Sequence, residues 1–251
     1  MSSEWKASLC GCLTDIAFDE LPDLLVQSGV GLLEWRLDLF LQKHSMERTR
    51  DALLHLSLSP RHPVVATNRP TRAKGAFEGP EESRIKLLEE AVKCGAQWVD
   101  IEDDTPEDLF DAFPSATCST LVSHHDFDTT PDSLSLHRLA EKMIRMRPDA
   151  IKIVTMANSP EDNLRVLELI PSVQHRFGVP VVAFCMGRFG IWSRAVSVIL
   201  GSPWTYVRLP GRSASAPGQL SPDEMTKLLN SLTGEGAPDS RAQLGIPLQR
   251  E

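Results

Sequence analysis

Short apolar segments with the character of β-strands recur along the chain, and segments with helical spacing separate them. Eight strands are predicted, at residues 8–13, 32–39, 63–67, 97–102, 119–123, 149–156, 181–185 and 205–209. Eight strand–helix units are the number that closes into a (β/α)8 barrel. No strand is followed by a Gly-x-Gly-x-x-Gly motif, so an open dinucleotide-binding sheet is the weaker interpretation. We therefore predict the α/β class and a single (β/α)8 (TIM) barrel.

The length of the chain fits one such barrel followed by a short tail. The 251 residues are close to the usual size of a (β/α)8 domain. Ser221-Pro222-Asp223-Glu224 predicts the start of a last helix, which ends near Leu232. The polar residues after that helix include glycine and proline, as is typical of a segment outside the core. We predict a catalytic barrel domain at residues 1–233 and a polar C-terminal tail at residues 234–251.

Composition and charge exclude several classes of protein. A formal net charge of −8 argues against nucleic acid as the main partner. No run of apolar residues is long enough for a transmembrane helix, and the first residues lack the pattern of a signal peptide. The five cysteines form no Cys-x-x-Cys pair and leave an odd one over, which is typical of a reducing compartment. We therefore expect a cytoplasmic protein without a membrane partner.

One lysine has an unusual position. Of the eight lysines in the chain, only Lys152 lies in the middle of a predicted strand, between Ile151 and Ile153. Burial among aliphatic side chains disfavours the charged ammonium, and a neutral amine is a nucleophile that forms Schiff bases with carbonyl compounds. The alternative is a lysine at a strand edge whose head reaches water.

Charged residues also alternate along the predicted second strand. Glu34, Arg36 and Asp38 share one face, while leucines and Trp35 occupy the other. The apolar face has to pack on helices, so the charged face is predicted to point into the barrel. Charges in that place are costly unless they are paired or used in function. A buried Glu34–Arg36 ion pair that only stabilises the barrel is the structural alternative.

Further polar side chains gather where predicted strands end. Arg69 follows the third strand, Asp100 and Glu102 end the fourth, and His124 and His125 follow the fifth. Active sites of (β/α)8 barrels lie at this carboxyl end of the strands. Neighbouring residues on a strand point to opposite faces, so at most one of the two histidines faces the barrel axis, and the pattern alone does not decide which. The spacing matches no metal-binding motif, and we predict no metal site.

Six motifs, in this order along the chain, carry a resemblance to a known family. They are Glu34-Trp35-Arg36-Leu37-Asp38, Thr67-Asn68-Arg69, Ser123-His124-His125-Asp126-Phe127, Ile151-Lys152-Ile153, Met186-Gly187 through Gly190 to Ser193-Arg194, and Ser213-Ala214-Ser215-Ala216-Pro217-Gly218-Gln219. Together they resemble the type I 3-dehydroquinate dehydratases, lyases of the shikimate pathway of aromatic amino acid biosynthesis. The motifs span nearly the whole predicted barrel.

The resemblance implies a catalytic role for two of these residues. Lys152 would form an imine with the C3 ketone of 3-dehydroquinate, which makes the neighbouring C2–H acidic. His125, directly before Asp-Phe, would be the general base at C2 and would assist proton transfer at the imine. Elimination of the C1 hydroxyl and hydrolysis of the imine would release 3-dehydroshikimate. Such a reaction needs neither a cofactor nor a metal ion.

The resemblance also implies a set of residues that bind the substrate. Arg194 would hold the substrate carboxylate, a task that suits a planar bidentate donor. Ser215 and Gln219 would lie in a loop that closes over the substrate. The remaining residues would bind ring hydroxyls (Glu34, Arg36 and Arg69) or pack on the ring (Met186 and Phe127). By resemblance alone, a homodimer is also expected.

One position departs from the family pattern. The family usually has a glutamate four residues after the arginine that corresponds to Arg69, and this glutamate pairs with the catalytic histidine. This chain has Ala73 there. Either the histidine lacks its orienting carboxylate, or Glu78 replaces it. We expect reduced but real activity, because a group that orients the base tunes the rate without supplying the chemistry.

Two other functions compete with this interpretation. A class I aldolase or transaldolase also places a Schiff-base lysine on a barrel strand, but the loop Ser213–Gln219 contains no obvious phosphate site. A catalytically weak barrel that binds quinate-like ligands as a regulator or scaffold is the second alternative. Ala73 supports it, whereas the presence of Lys152, His125 and Arg194 argues against it.

Overall fold

The structure, a computed structural model, describes residues 5–14, 29–57, 62–114 and 117–234. Eight parallel strands form one sheet with the order β7-β6-β5-β4-β3-β2-β1-β8, which makes a nearly closed barrel. The strands are β1 (Leu9–Leu13), β2 (Leu32–Arg36), β3 (Val64–Thr67), β4 (Trp98–Glu102), β5 (Ser119–Asp126), β6 (Ala150–Met156), β7 (Val181–Met186) and β8 (Thr205–Arg208). The predicted (β/α)8 barrel is thereby confirmed.

Helices follow strands β2 to β8 and cover the outside of the barrel. They are α1 (Leu37–Phe40), α2 (Met46–Ser57), α3 (Glu81–Lys93), α4 (Glu107–Phe110), α5 (Ser133–Arg145), α6 (Asp162–Leu167), α7 (Leu169–Phe177), α8 (Ser193–Ile199) and α9 (Pro222–Thr233). Short 3-10 turns occupy Lys6–Ser8 and Thr71–Ala73. Among the residues described, no helix is long and apolar enough to cross a membrane.

Side-chain alternation along the strands builds two apolar layers. Ile151 and Ile153 belong to the large core between the sheet and the helices, whereas Ala150 and Val154 belong to the smaller core inside the barrel. Lys152 lies between the latter two on the inner face. The predicted inward direction of Lys152 is therefore confirmed, and the alternative of a surface lysine is wrong because its side chain is buried.

The second strand is shorter than predicted. It ends at Arg36, and the next residues form the helical turn α1. The carboxylate of Asp38 accepts two hydrogen bonds from the Arg36 guanidinium and one from the backbone N–H of Ala76. These hydrogen bonds pair the Asp38 carboxylate outside the sheet. The predicted charged face of three residues is therefore correct for Glu34 and Arg36 and wrong for Asp38.

The fifth strand is longer than predicted. It was expected to end at Ser123, but it continues through both histidines to Asp126, because His124 and His125 extend the ladder opposite Ile153 and Val154 of β6. The extension places both histidines on the strand itself, at its carboxyl end. The alternation of the strand then separates them to opposite faces.

Side chains fix the starts of two helices. Helix α9 begins as predicted, because the Ser221 side chain and the Glu224 side chain bond each other's backbone in a capping box. Helix α6 begins at Asp162, whose carboxylate accepts the N–H groups of Asn158 and Ser159. Of the predicted tail, only Gly234 lies inside the described residues.

Candidate active site

Lys152 lies at the centre of a polar cluster at the carboxyl end of the barrel. Its Nζ donates a hydrogen bond to Asp100 Oδ2 at 2.7 Å and to the Tyr206 hydroxyl at 3.4 Å. Glu34 Oε1 is 3.5 Å from the same nitrogen, and only 3% of the Lys152 surface is exposed. Two carboxylates therefore lie beside the amine.

Arg69 is committed to carboxylates of the protein. Its guanidinium donates two hydrogen bonds to Asp100, at 3.1 and 2.8 Å, one to Glu102 and one to the Ser123 hydroxyl at 2.9 Å. Burial alone would lower the pKa of Arg69, but Asp100 and Glu102 raise it well above the ordinary value. The residue lines the cavity, yet its donors are largely occupied by protein groups.

Asp100 accepts hydrogen bonds from three directions. Arg69, Lys152 and the Ser123 hydroxyl (2.5 Å) all donate to its carboxylate. Burial would raise the pKa of Asp100, but Arg69 and Lys152 hold it well below its usual range. Asp100 is therefore an ionised acceptor that connects Arg69 to Lys152, a contact that the strand alternation alone did not reveal.

Glu34 and Arg36 do not share the bond expected of a structural ion pair. Glu34 accepts hydrogen bonds from Thr67 Oγ1 at 3.0 Å and from Cys12 Sγ at 3.4 Å, and it faces Lys152. Arg36 donates instead to both oxygens of Asp38, at 2.8 and 2.6 Å. Burial would lower the pKa of Arg36, but Asp38 raises it. Both side chains line the cavity.

The two histidines have different surroundings. His125 lines the cavity and stacks on Phe127, with ring centroids 5.8 Å apart. Its Nδ1 is buried and has no hydrogen-bond partner among the described residues. His124 Nδ1 instead lies 3.0 Å from Asp103 Oδ1, outside the cavity. The structure thus selects His125 as the histidine that faces the barrel axis.

The surroundings of His125 keep its ring neutral. Burial is the largest cause that lowers the pKa of His125 well below 6.5, and the positive charges of Arg69 and Lys152 act in the same direction. A neutral imidazole in a cavity is a proton acceptor at one of its nitrogens. The buried Nδ1 leaves the other nitrogen, Nε2, as the one that can meet a ligand.

Arg194, at the start of α8, is a buried cation without a carboxylate partner among the described residues. Its Nη2 donates to the backbone oxygen of Pro217 at 3.2 Å, and its guanidinium carbon lies 4.4 Å from the centroid of the Phe184 ring. Arg194 Nε has no hydrogen-bond partner within the ranges that the structure describes, and burial lowers the pKa of the group to about 10. A bound carboxylate would supply the missing charge.

The segment after β8 closes one side of the site. Gln219 Oε1 accepts the backbone N–H of Ser215 at 2.8 Å, and Gln219 Nε2 lies 3.5 Å from Cys12 Sγ. Gly218 has φ +82°, and a Cβ there would lie 3.2 Å from the Gly187 oxygen. The loop therefore approaches the β7 end closely, where Pro217 meets Arg194.

These groups surround one cavity of about 560 Å³, including its open mouth. All ten residues with a predicted catalytic or substrate-binding role line it: Glu34, Arg36, Arg69, His125, Phe127, Lys152, Met186, Arg194, Ser215 and Gln219. Six further lining residues had no role predicted from the sequence, namely Cys12, Lys74, Val154, Phe184, Tyr206 and Ala216. Tyr206 could have been found, because it is the single tyrosine of the chain and the alternation of β8 places its side chain on the inner face of the barrel.

The position that departs from the family pattern also borders the cavity. Ala73 lines it next to Lys74, at the end of the Thr71–Ala73 turn. Glu78 is exposed and does not belong to the cavity lining. The alternative in which Glu78 replaces the orienting carboxylate therefore finds no support in the geometry of the described residues.

Together, the barrel, the buried Lys152 and Arg194 and the cavity-lining His125 at its carboxyl end define a (β/α)8-barrel enzyme. A family model described as type I 3-dehydroquinase matches residues 14–235. The chain belongs to the type I 3-dehydroquinase family.

Individual relatives agree with this membership. A 3-dehydroquinate dehydratase from Syntrophobacter fumaroxidans is 46% identical over 228 residues, which cover 91% of this chain and 97% of the relative. One from Dehalococcoides mccartyi is 36% identical over 227 residues, covering 89% and 96%. The crystal structure of 3-dehydroquinate dehydratase from Geobacillus kaustophilus matches with a TM-score of 0.80 at 24% identity, covering 91% of this chain and 93% of that chain, and so shares the fold.

Proposed function

We propose that this protein is a 3-dehydroquinate dehydratase, a hydro-lyase that removes water from 3-dehydroquinate through an imine on Lys152. The observation that carries the proposal is the pairing of a buried lysine with Arg194, a buried cation without a protein carboxylate among the described residues, in one cavity. The substrate offers a ketone for the first and a carboxylate for the second.

The first half of the reaction joins the substrate to the enzyme. Neutral Lys152 Nζ attacks the C3 ketone, and the resulting carbinolamine loses water to give a protonated imine. The proton that Nζ must first release has an acceptor close by, since Asp100 and Glu34 surround the amine. The cationic imine then takes the place of the ammonium between the same two carboxylates, which favours its formation.

The second half is the elimination. The imine withdraws electrons, so His125 can remove a proton from C2, and the electron pair of that C–H bond moves into an enamine. The enamine expels the C1 hydroxyl, which leaves as water with a proton returned by the histidine. Hydrolysis of the conjugated imine then releases 3-dehydroshikimate and restores the lysine. The low pKa of His125 keeps the ring ready to accept a proton at neutral pH.

Substrate recognition follows from the remaining charges. We assign the carboxylate to Arg194, ring hydroxyls to Glu34 and Arg36, and ring packing to Met186 and Phe127. Arg69, which was expected to bind hydroxyls, is proposed instead to hold Asp100 and Glu102 in place, because its donors bond protein groups. Ser215 and Gln219 are proposed to close the site from the loop after β8.

The buried Nδ1 of His125, which has no hydrogen-bond partner in the described part of the chain, supports the hypothesis of reduced but real turnover. When Nε2 acts as the base, Nδ1 carries the proton, and a buried N–H without an acceptor costs free energy. Ala73 offers no acceptor. The other tautomer, with the proton on Nε2, is favoured in the free enzyme, so only part of the protein holds a base-competent ring.

The biological setting is also part of the proposal. We place the reaction in the shikimate pathway of aromatic amino acid biosynthesis and the protein in the cytoplasm, where its five buried cysteines, all free, would stay reduced. A homodimer stays a prediction, which sedimentation at several protein concentrations would test.

The decisive experiment traps the imine. The protein is incubated with 3-dehydroquinate and borohydride, and the product is analysed by intact mass and peptide mapping. A parallel assay without reductant follows the absorbance of the enone product. We expect one ligand-sized adduct on Lys152 and turnover in the parallel assay. Lys152→Met should remove both, whereas the matched change Lys93→Met, at an exposed lysine on α3, should remove neither.

Two other results would lead to different conclusions. Absence of both adduct and product in the unmodified protein would refute the dehydratase proposal. An adduct without product would favour the ligand-binding barrel, in which imine chemistry survives and the base has lost its orientation.

A further inference from the structure

The single tyrosine of the chain lies in the candidate active site. Tyr206 is on β8, faces the barrel interior, is 4% exposed and lines the cavity. No step of the proposed reaction involves Tyr206. A hydroxyl that is almost completely buried inside a barrel requires a hydrogen-bond partner, and the partner here is the reactive lysine.

The contact between the two residues is direct. Lys152 Nζ donates to the Tyr206 hydroxyl oxygen at 3.4 Å and lies 4.6 Å from the centroid of its ring. Because the oxygen accepts this bond, its own O–H proton is available to a third group. That group would be whatever is bonded to Nζ during the reaction.

The other groups in contact with the amine cannot donate a proton in this way. Asp100 is an ionised acceptor held by Arg69, and Glu34 already accepts hydrogen bonds from Thr67 and Cys12. The resemblance also implies that His125 assists proton transfer at the imine, but among the described residues no hydrogen bond joins His125 to Nζ. Tyr206 is thus the O–H donor beside the nitrogen.

Formation of a carbinolamine has a specific requirement that such a donor meets. When Nζ attacks C3, the nitrogen becomes positively charged and the ketone oxygen negatively charged. One proton must leave the nitrogen and one must reach the oxygen, although the two atoms share a carbon and cannot exchange a proton directly with good geometry. A hydroxyl that touches the nitrogen can accept the first proton while it donates the second.

We propose that Tyr206 is a further catalytic residue, whose hydroxyl relays a proton from Lys152 Nζ to the ketone oxygen as the carbinolamine forms. This inference rests on the proposed dehydratase function. In the step, the N–C3 bond forms, the C=O π pair moves to oxygen, Nζ gives a proton to the tyrosine oxygen, and the tyrosine O–H proton passes to the substrate oxygen. Reversal of the same relay serves the hydrolysis of the product imine.

The relay agrees with the electrostatics of the site. Burial, followed by the negative charge of Glu34, raises the pKa of Tyr206 well above 10, so a free tyrosinate is unfavourable there. A relay avoids the tyrosinate, because the hydroxyl gives one proton as it takes another and is neutral before and after the step.

The first test replaces Tyr206 by phenylalanine, which keeps the ring and removes the hydroxyl. Rapid quenching with borohydride measures the rate of imine formation in a single turnover. We expect this rate to fall by on the order of 10²-fold. The isotope effect of deuterium at C2 on kcat/KM should fall toward one. Imine formation, which precedes C2–H cleavage, is then the slow step. Thr205→Val is the matched control, since it removes a buried hydroxyl of the same strand that does not line the cavity.

The second test changes the acidity of the phenol without removing it. Because the chain has one tyrosine, fluorotyrosine incorporated during expression labels position 206 alone. We expect the rate of imine formation to vary with the number of fluorines, while the C2 step does not, and the fluorine resonance to shift when the adduct forms. The same fluorine NMR spectrum checks that the fluorinated protein is folded.

The outcomes separate the inference from the function on which it rests. Equal rates of imine formation in the unmodified protein, the Tyr206→Phe variant and the fluorinated protein would overturn the relay and leave the dehydratase function intact. Absence of any borohydride-trapped adduct in the unmodified protein would overturn the proposed function and the relay with it.

Discussion

Arg69 and Arg194 are both buried cations at the same cavity, yet we expect their removal to have different effects on stability. Only 5% of Arg69 and 1% of Arg194 is exposed. Replacement of each by methionine keeps an unbranched apolar stem and removes the charge. The two variants therefore compare the same chemical change in two electrostatic surroundings, one with carboxylates and one without.

For Arg69, removal of the guanidinium leaves its acceptors uncompensated. Asp100 and Glu102 are both almost completely buried, and the arginine donates to each of them. Loss of one member of a buried ion-pair network typically costs about 3–5 kcal/mol, because the remaining charge stays in a medium of low dielectric constant. Lys152 still compensates part of the Asp100 charge, so we expect Arg69→Met to cost about 3 kcal/mol, at the lower end.

For Arg194, removal of the charge relieves a cost. Its pKa of about 10, compared with 12.5 for a free guanidinium, means that keeping the group charged costs the folded protein about 3 kcal/mol. The contact with the Phe184 ring returns about 1 kcal/mol, and the hydrogen bond to Pro217 about 1.5 kcal/mol. These contributions nearly cancel, so Arg194→Met should change the free energy of unfolding by less than about 1 kcal/mol.

The assay is urea unfolding of both variants in the absence of ligand, followed by fluorescence. The slope m should be unchanged, so the midpoints report stability directly. We expect a lower midpoint for Arg69→Met, a nearly unchanged one for Arg194→Met, and loss of turnover in both. Equal destabilisation of the two variants would refute the reasoning, since it would mean that Arg194 has a charge partner in the folded protein.

Three further predictions concern the base and the behaviour of the protein in acid. Ala73→Glu should raise kcat by roughly 10-fold, because an acceptor at Nδ1 favours the base-competent tautomer of His125. Glu78→Ala should leave kcat unchanged. The reverse pattern would favour Glu78 as the orienting group. The acid limb of kcat/KM should lie below pH 6.5, because burial and nearby cations lower the pKa of His125, and a limb at or above that pH would contradict its neutral state. Burial raises the pKa of Glu81, but the bond to Arg84 lowers it to about 2. The stability that this pair contributes above about pH 4.5 should therefore be lost as the pH falls toward 2. Glu81→Gln should flatten that decrease in a series of urea midpoints, and an unchanged slope would argue against the pair.

The inward and outward faces of the strands could be predicted from the sequence because their period is local. Lys152 between two isoleucines requires only that the helix-facing side be apolar, and the structure agrees. The same reasoning is correct for Glu34 and Arg36. It is wrong for Asp38, because nothing in the two-residue period indicates that a carboxylate can leave the sheet to bind Arg36 and Ala76.

Contacts between strands could not be predicted in the same way, because they depend on register across the barrel. The link from Arg69 through Asp100 to Lys152 joins β6 and β4 to the end of β3, and each partner is far from the others in the chain. The sequence shows that each of these residues stands at or near the inner face. It contains no local signal for which acid neutralises which base.

This difference explains why the motifs predicted the members of the site better than their tasks. Arg69 and Arg194 are each part of a motif, and both were assigned to the substrate. Among the described residues, the register brings two carboxylates to Arg69 and none to Arg194, so the first cation is consumed by the framework and the second stays available to an anion. For a buried arginine, the number of protein carboxylates within bonding distance decides between support and recognition, and that number is a property of the fold.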